Sequence, residues 1–290
     1  MGAEPRPNDQ EKTMPMPFAA SQDRQPAVAG QFYTNDPEAL RLEVRGYLEG
    51  AEQKSSVPSI LTMAPHAGYY FSGAVAGATL GRANLAETVL LLGPNHTGLG
   101  KPLAVWPSGR WQYPGGTLEV DVELVEHLLA QESRLEPDTL AHQREHSLEV
   151  MVPFLAEMNP ATRIVPIAVS QPDLGTLLAV GKSLGRALRA FARPVSMIVS
   201  SDMSHFLTHD MAQELDAKAL DPALALNPTL FYETVRGENI SMCGVLPMTL
   251  ALAAALELGA SQSEITAYAT SGEINGEMRR VVGYAGLVIS

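Results

Sequence analysis

Apolar positions along the chain follow two alternating rhythms. Short apolar runs rich in β-branched residues occur at Ser59–Met63, Thr88–Leu92, Leu103–Trp106, Arg163–Val169, Val195–Ser200, Ile265–Thr270 and Val282–Ile289, and they predict strands. Between several of them lie longer stretches with apolar residues three and four apart: Ala74–Arg82, Val122–Gln131, Leu148–Met158, Leu174–Ala192, Met211–Leu220 and Val245–Leu258. These predict helices. Alternation of the two implies an α/β fold, a single domain with a mostly parallel central sheet flanked by helices. The last two strands follow one another around Asn275-Gly276, so the sheet is expected to be antiparallel there. Ahead of Pro26, the prolines Pro5, Pro7, Pro15 and Pro17 interrupt any periodicity. Residues 1–25 therefore read as a flexible leader and 26–290 as the domain.

Charge and composition narrow the partners more than the fold. With 20 Lys+Arg against 32 Asp+Glu, the 290 residues carry a formal charge of 20 − 32 = −12. Coating nucleic acid or an anionic membrane needs a basic face, so neither is expected as a partner. The most apolar late stretch, Val245 to Leu256, contains Pro247 and stops at Glu257, well short of the roughly 20 apolar residues of a membrane span. A cytoplasmic protein is expected. The single cysteine, Cys243, excludes an internal disulfide and suits a reducing compartment.

Candidate chemistry sits where strands end. The run at Ser59–Met63 leads into Ala64-Pro65-His66-Ala67-Gly68, Thr88–Leu92 into Gly93-Pro94-Asn95-His96, and Val195–Ser200 into Ser201-Asp202-Met203-Ser204-His205. Open α/β sheets bind ligands beyond the carboxyl ends of their strands, and three of the seven histidines fall there. His66 and His96 can serve as metal ligands or pack beneath their loops. Asp202 and His205 are three residues apart; if the segment starts a helical turn, the carboxylate orients the imidazole as a general acid/base needs. Cys243 precedes a predicted helix, where the dipole favours a thiolate, and with His66 and His96 it makes a three-ligand set with open positions. In His142-Gln143-Arg144-Glu145-His146-Ser147-Leu148-Glu149, Ser147 reads as a helix N-cap, His146 and Glu149 as pocket residues, and His142 as exposed. His127 and His209 read as solvated. Neither a phosphate-binding glycine loop nor a G-x-S-x-G nucleophile elbow follows these strands.

Taken in order, Pro26-Ala27-Val28-Ala29-Gly30-Gln31-Phe32-Tyr33, Ala64-Pro65-His66-Ala67-Gly68-Tyr69, Leu92-Gly93-Pro94-Asn95-His96, Glu145-His146-Ser147-Leu148-Glu149, Ser200-Ser201-Asp202-Met203-Ser204-His205 and Met242-Cys243-Gly244 resemble the Memo family, component B of the AmmeMemoRadiSam proteins. The resemblance implies a fold similar to the class III extradiol ring-cleaving dioxygenases, which use ferrous iron. It places His66, His96 and Cys243 at the metal-site positions and His205 with Asp202 in the catalytic histidine region. It further implies iron(II) or copper as cofactor ahead of zinc, a small-molecule substrate, and companions of the radical SAM and AMMECR types. Two functions follow: a metal-dependent oxidoreductase or enzyme component, or an adaptor that retains the pocket and binds phosphotyrosine peptides, for which Arg144 is the main cation. The dioxygenases use a carboxylate where this chain has a thiol, so ring cleavage is not carried over with the fold.

Overall fold

In the computed structural model, which describes residues 23–290, eleven strands form, seven at the apolar runs and four outside them. They are β1 (Leu61–Ala64), β2 (Thr88–Pro94), β3 (Leu103–Val105), β4 (Arg110–Tyr113), β5 (Gly116–Val120), β6 (Glu136–Pro137), β7 (Arg163–Val169), β8 (Val195–Ser200), β9 (His205–Leu207), β10 (Ser263–Thr270) and β11 (Val281–Ile289); the four outside the runs are β4, β5, β6 and β9. The helices are α1 (Pro37–Glu49), α2 (Tyr69–Arg82), α3 (Val122–Gln131), α4 (Leu140–Gln143), α5 (Val152–Met158), α6 (Leu174–Ala190), α7 (His209–Leu224), α8 (Pro228–Gly237), α9 (Val245–Leu258) and α10 (Ser271–Asn275).

The main sheet runs β10-β11-β1-β8-β2-β7-β3-β6. Its centre, β1-β8-β2-β7, is parallel, and every residue of β1 and β2 is buried, as continuous apolar runs require when helices cover both faces. Antiparallel pairing is confined to the flanks. β11 pairs with β1 and β10, with Gly276 at φ +80° in the connection, and β3 pairs with β7. α9 is buried almost all round and crosses α6 at Gly181, where an added Cβ would collide with the Leu250 carbonyl and stand 2.8 Å from Ala253 Cβ. Among the described residues no helix is long and apolar enough to cross a membrane.

Several boundaries differ from the sequence expectation. Helix α2 starts at Tyr69, a full turn before Ala74, and the Leu148–Met158 stretch divides into a 3-10 turn at Glu149–Met151 followed by α5. Ser147 does not cap it; its hydroxyl donates to the Pro94 carbonyl at 2.9 Å. Helices α1 and α8, capped by Asp36 and Asn227 with Pro at the first turn, had cap signals that the apolar pattern alone passes over. The leader expectation falls on residues 1–22, outside the described residues, and on 23–25, where it fails. Arg24 is buried, and its backbone bonds to Arg110 and Gln112 of β4.

His142, expected at the surface, is fully buried because α4 turns inward. Its ring lies 5.9 Å from Trp106 and 5.7 Å from Trp111, and Nε2 donates to the Ala104 carbonyl at 3.0 Å, leaving Nδ1 without a partner. Burial holds this imidazole neutral and lowers its pKa from 6.5 to about 4 against the opposing pull of the Ala104 bond. A depressed folded-state value means that the contribution is complete above pH 6.5 and is lost as the pH falls toward 4, an effect of up to about 3 kcal/mol. His142→Gln, which keeps a donor but cannot titrate, is expected to flatten the fall in unfolding free energy between those pH values; an unchanged acid branch in urea titrations refutes the assignment. Gly181→Ala is expected to cost about 1–3 kcal/mol by prising α6 from α9, measurable as a lowered urea midpoint with an unchanged slope.

Candidate metal centre

Because β8 lies between β1 and β2, the turns that follow these three strands open at one edge of the sheet. Pro65 leads out of β1 to His66, whose backbone N–H donates to Asp202 Oδ1 at 2.7 Å; the Ala67 N–H joins it at 3.2 Å. Asp202 thus ties the turn after β1 to the turn after β8. The His66 ring is buried, with Nδ1 on Ser200 Oγ at 2.7 Å and Nε2 3.2 Å from Cys243 Sγ. Beyond β2, Asn95 Oδ1 accepts from the Thr97 and Gly98 amides and folds the loop around His96.

His96 is gripped twice by one carboxylate. Its Nδ1 lies 2.8 Å from Glu145 Oε1 and its backbone N–H donates to Oε2 at 2.5 Å. An ionised carboxylate only accepts, so Nδ1 carries a proton, and in the neutral tautomer that this selects the lone pair is on Nε2. Oε1 also accepts from Ser147 N at 2.9 Å and lies 3.5 Å from His146 Nδ1. Burial pushes the Glu145 pKa up, but the His96 bond and charge, the Ser147 amide and His146 outweigh it and bring it to about 2. This turn reaches β2 because residue 93 is glycine: a Cβ there would stand 2.8 Å from Ser147 Oγ and 2.7 Å from Leu148 Cδ2.

The result is a cluster of three imidazoles, His66, His96 and His146, whose ligand-capable atoms all lie within 4.8 Å of one another. His96 stacks on His146 at 4.7 Å, and His66 meets both edge to face at 5.2 and 5.4 Å. Phe32 covers His146 from 4.7 Å. Burial depresses the pKa of His66 strongly and that of His146 as well, with the neighbouring imidazoles adding to it, so both rings are neutral at pH 7. Neutral imidazoles are the donor state that metal binding requires, and hydrogen bonds to Ser200 and Glu145 already fix the Nδ1 atoms of His66 and His96. The residues present fit a metal ion.

The sequence-derived set is partly rearranged. His66 and His96 stand where expected, and His146, expected to line the pocket, joins them in the cluster. Cys243 touches His66 but falls outside the group with a common 4.8 Å spacing. The helix dipole does not make it a thiolate. Burial first, then the charge of Asp202, push its pKa up, and the protonated sulfur sits 3.1 Å from Asp202 N and 3.5 Å from Asp202 O. Gly244 permits this approach, since a side chain there would collide with Ser201.

Asp202 and His205 do not pair. The segment forms the short strand β9 instead of a helical turn, with Phe206 at φ +62°. Asp202 is committed to the turn after β1, while His205 Nδ1 lies 2.8 Å from the Ser241 carbonyl. Glu149 does not line the pocket either. It is fully buried and accepts from Arg24, Ala27 N, Val28 N and Tyr33 OH. His127 and His209, expected to be solvated, are half-buried and bonded to the Ala187 carbonyl and Thr270 Oγ1, whereas Arg144 is exposed. The functional side chain that residue-by-residue reading missed is Glu145. Its only sequence signal is adjacency to His146, which does not foretell a bond to His96 across 49 positions.

The geometry can be set beside known proteins. The model of the Memo family, described as Memo-like protein, matches residues 24–288. A MEMO1 family protein of Methanopyrus kandleri is 39% identical over 280 residues, covering 92% of this chain and 98% of that protein. One from Aquifex aeolicus is 37% identical over 266 residues, covering 91% and 98%. Among solved structures, the uncharacterized protein JW3007 from Escherichia coli K12 shares the fold with a TM-score of 0.51 at 10% identity, covering 79% of this chain and 98% of that one. With a family model spanning nearly all the described residues and relatives this similar along their whole length, the chain belongs to the Memo-like family.

Proposed function

We propose that this protein is a metal-dependent oxidoreductase, or the metal-binding component of one, acting on a small molecule. The supporting observation is the three-imidazole cluster at the strand ends, with Glu145 and Ser200 already holding the outer nitrogens of His96 and His66. In this reading His66, His96 and His146 hold the ion and Cys243 completes its shell, since a cation beside the sulfur reverses the burial penalty and expels the thiol proton. Iron(II) or copper is favoured over zinc, because imidazole with a soft thiolate suits both and either supplies one-electron chemistry that zinc does not. No carboxylate belongs to the cluster, since Asp202 is turned to backbone amides; this speaks against ring cleavage of the dioxygenase kind.

The protein's own acid/base group is His205. With Nδ1–H donating to the Ser241 carbonyl, Nε2 presents a lone pair and can take or return a substrate proton. Asp202 contributes by fixing the His66 turn and, through its N–H, the sulfur of Cys243. By family resemblance, companions of the radical SAM and AMMECR types deliver or consume the substrate.

Anaerobic purification followed by metal analysis is expected to find one iron or copper per chain. His66→Ala and His96→Ala should lose it, and Cys243→Ala should bind more weakly and lose any sulfur-to-metal absorption. Wild type without stoichiometric metal, or either histidine variant retaining it, overturns the proposal. Glu145→Gln is expected to stay folded with metal affinity lowered about 10–100-fold, the usual cost of losing a partner behind a ligand, as read by chelator competition. His205→Ala should keep the metal and lose turnover once a substrate is in hand.

A further inference from the structure

Arg24 is a buried cation that the proposed chemistry does not use, and its contacts converge on the turn carrying Glu145 and His146. The side chain is 1% exposed and lies over Trp111 at 4.3 Å. Nε donates to the His142 carbonyl at 2.9 Å, Nη2 to the Glu145 carbonyl at 2.6 Å and Nη1 to Glu149 Oε2 at 2.8 Å. One rigid fork therefore fixes three points along residues 142–149. The carboxylate it pairs with holds the following chain in turn: Glu149 Oε2 accepts from Ala27 N at 2.8 Å, and Oε1 from Val28 N at 2.9 Å and Tyr33 OH at 2.7 Å. The same strap, residues 24–33, sets Phe32 against His146 and offers the Phe32 carbonyl to Tyr69 N at 2.7 Å, just beyond the His66 turn.

We infer that Arg24 is a positioning residue for the imidazole cluster: by holding the Glu145 carbonyl and Glu149 it fixes the turn that aims Glu145 and His146, so docking of the 24–33 strap and metal binding are coupled. This rests on the metal reading above. The path is two bonds long, from Arg24 to the Glu145 main chain and from the Glu145 carboxylate to His96, and every atom on it is buried or half-buried. Coupling is reciprocal, so whatever factor strap docking adds to metal affinity, bound metal adds to strap docking.

Cobalt(II) is titrated into the full-length chain against a competing chelator at a temperature where the metal-free protein is folded by circular dichroism. Arg24→Met is expected to weaken cobalt binding about 10–100-fold and to alter the cobalt visible spectrum. Arg24→Lys, which restores the charge beside Glu149 but not the fork, is expected to recover part of the loss. If Arg24→Met does not fold, Tyr33→Phe, which removes one donor from Glu149, is expected to weaken binding several-fold. In wild type, cobalt should slow hydrogen exchange of the Ala27 and Val28 amides. Wild-type cobalt affinity in folded Arg24→Met, or in Tyr33→Phe where that variant is the one measured, overturns the inference and leaves the metal reading intact. So does strap exchange that ignores cobalt. Failure of the wild-type chain to bind cobalt at all overturns the metal reading with it.

Discussion

An ionised carboxylate can remain buried only where donors replace the water it has lost. Glu145 meets that condition with the Nδ1 and main-chain N–H of His96 and the amide of Ser147, with His146 close by. Each donor is a part of the site, so the same contacts that make the charge tolerable hold one imidazole in a fixed tautomer and pull another into register. Four residues on, Glu149 solves the same problem with donors from the other side, Arg24, two amides and Tyr33. The short segment between these two carboxylates is therefore clamped at both ends, one toward the histidine cluster and one toward the amino-terminal strap.

This pairing also explains how much could be read from the sequence. The α/β alternation, the parallel centre of the sheet and the antiparallel turn at Gly276 follow from periodicity, and so do the strand-end positions of His66 and His96. Side-chain direction does not. Glu145 and Glu149 look alike in sequence, but a 3-10 turn in place of a helix start sends one to His96 and the other to Arg24. Sequence alone places His142 at the surface and Arg24 in the leader because polar residues are usually exposed, whereas Trp106, Trp111 and main-chain carbonyls hold them inside.

Cys243 shows how two sound local arguments compete. A position ahead of α9 favours the thiolate, yet the sulfur is enclosed and faces the negative Asp202, and these outweigh the dipole. The sulfur is a weakly polar thiol between His66 and the Asp202 main chain. The Asp202 carboxylate serves the His66 and Ala67 amides, so the cluster consists of three imidazole donors without a carboxylate, with the Cys243 sulfur beside His66. That donor chemistry distinguishes it from a two-histidine, one-carboxylate iron site.

The strand order has a consequence for when the site comes into being. β1, β8 and β2 are neighbours in the sheet but come from residues 61–64, 195–200 and 88–94, and the turn bearing Glu145 comes from a fourth region. Contacts so far apart in the chain carry a large loop-closure cost, and the site is complete only once all four regions have come together. A zinc finger is organised by its metal; here the ion would be a late tenant of a finished building, chosen from whatever the cell offers once folding is over.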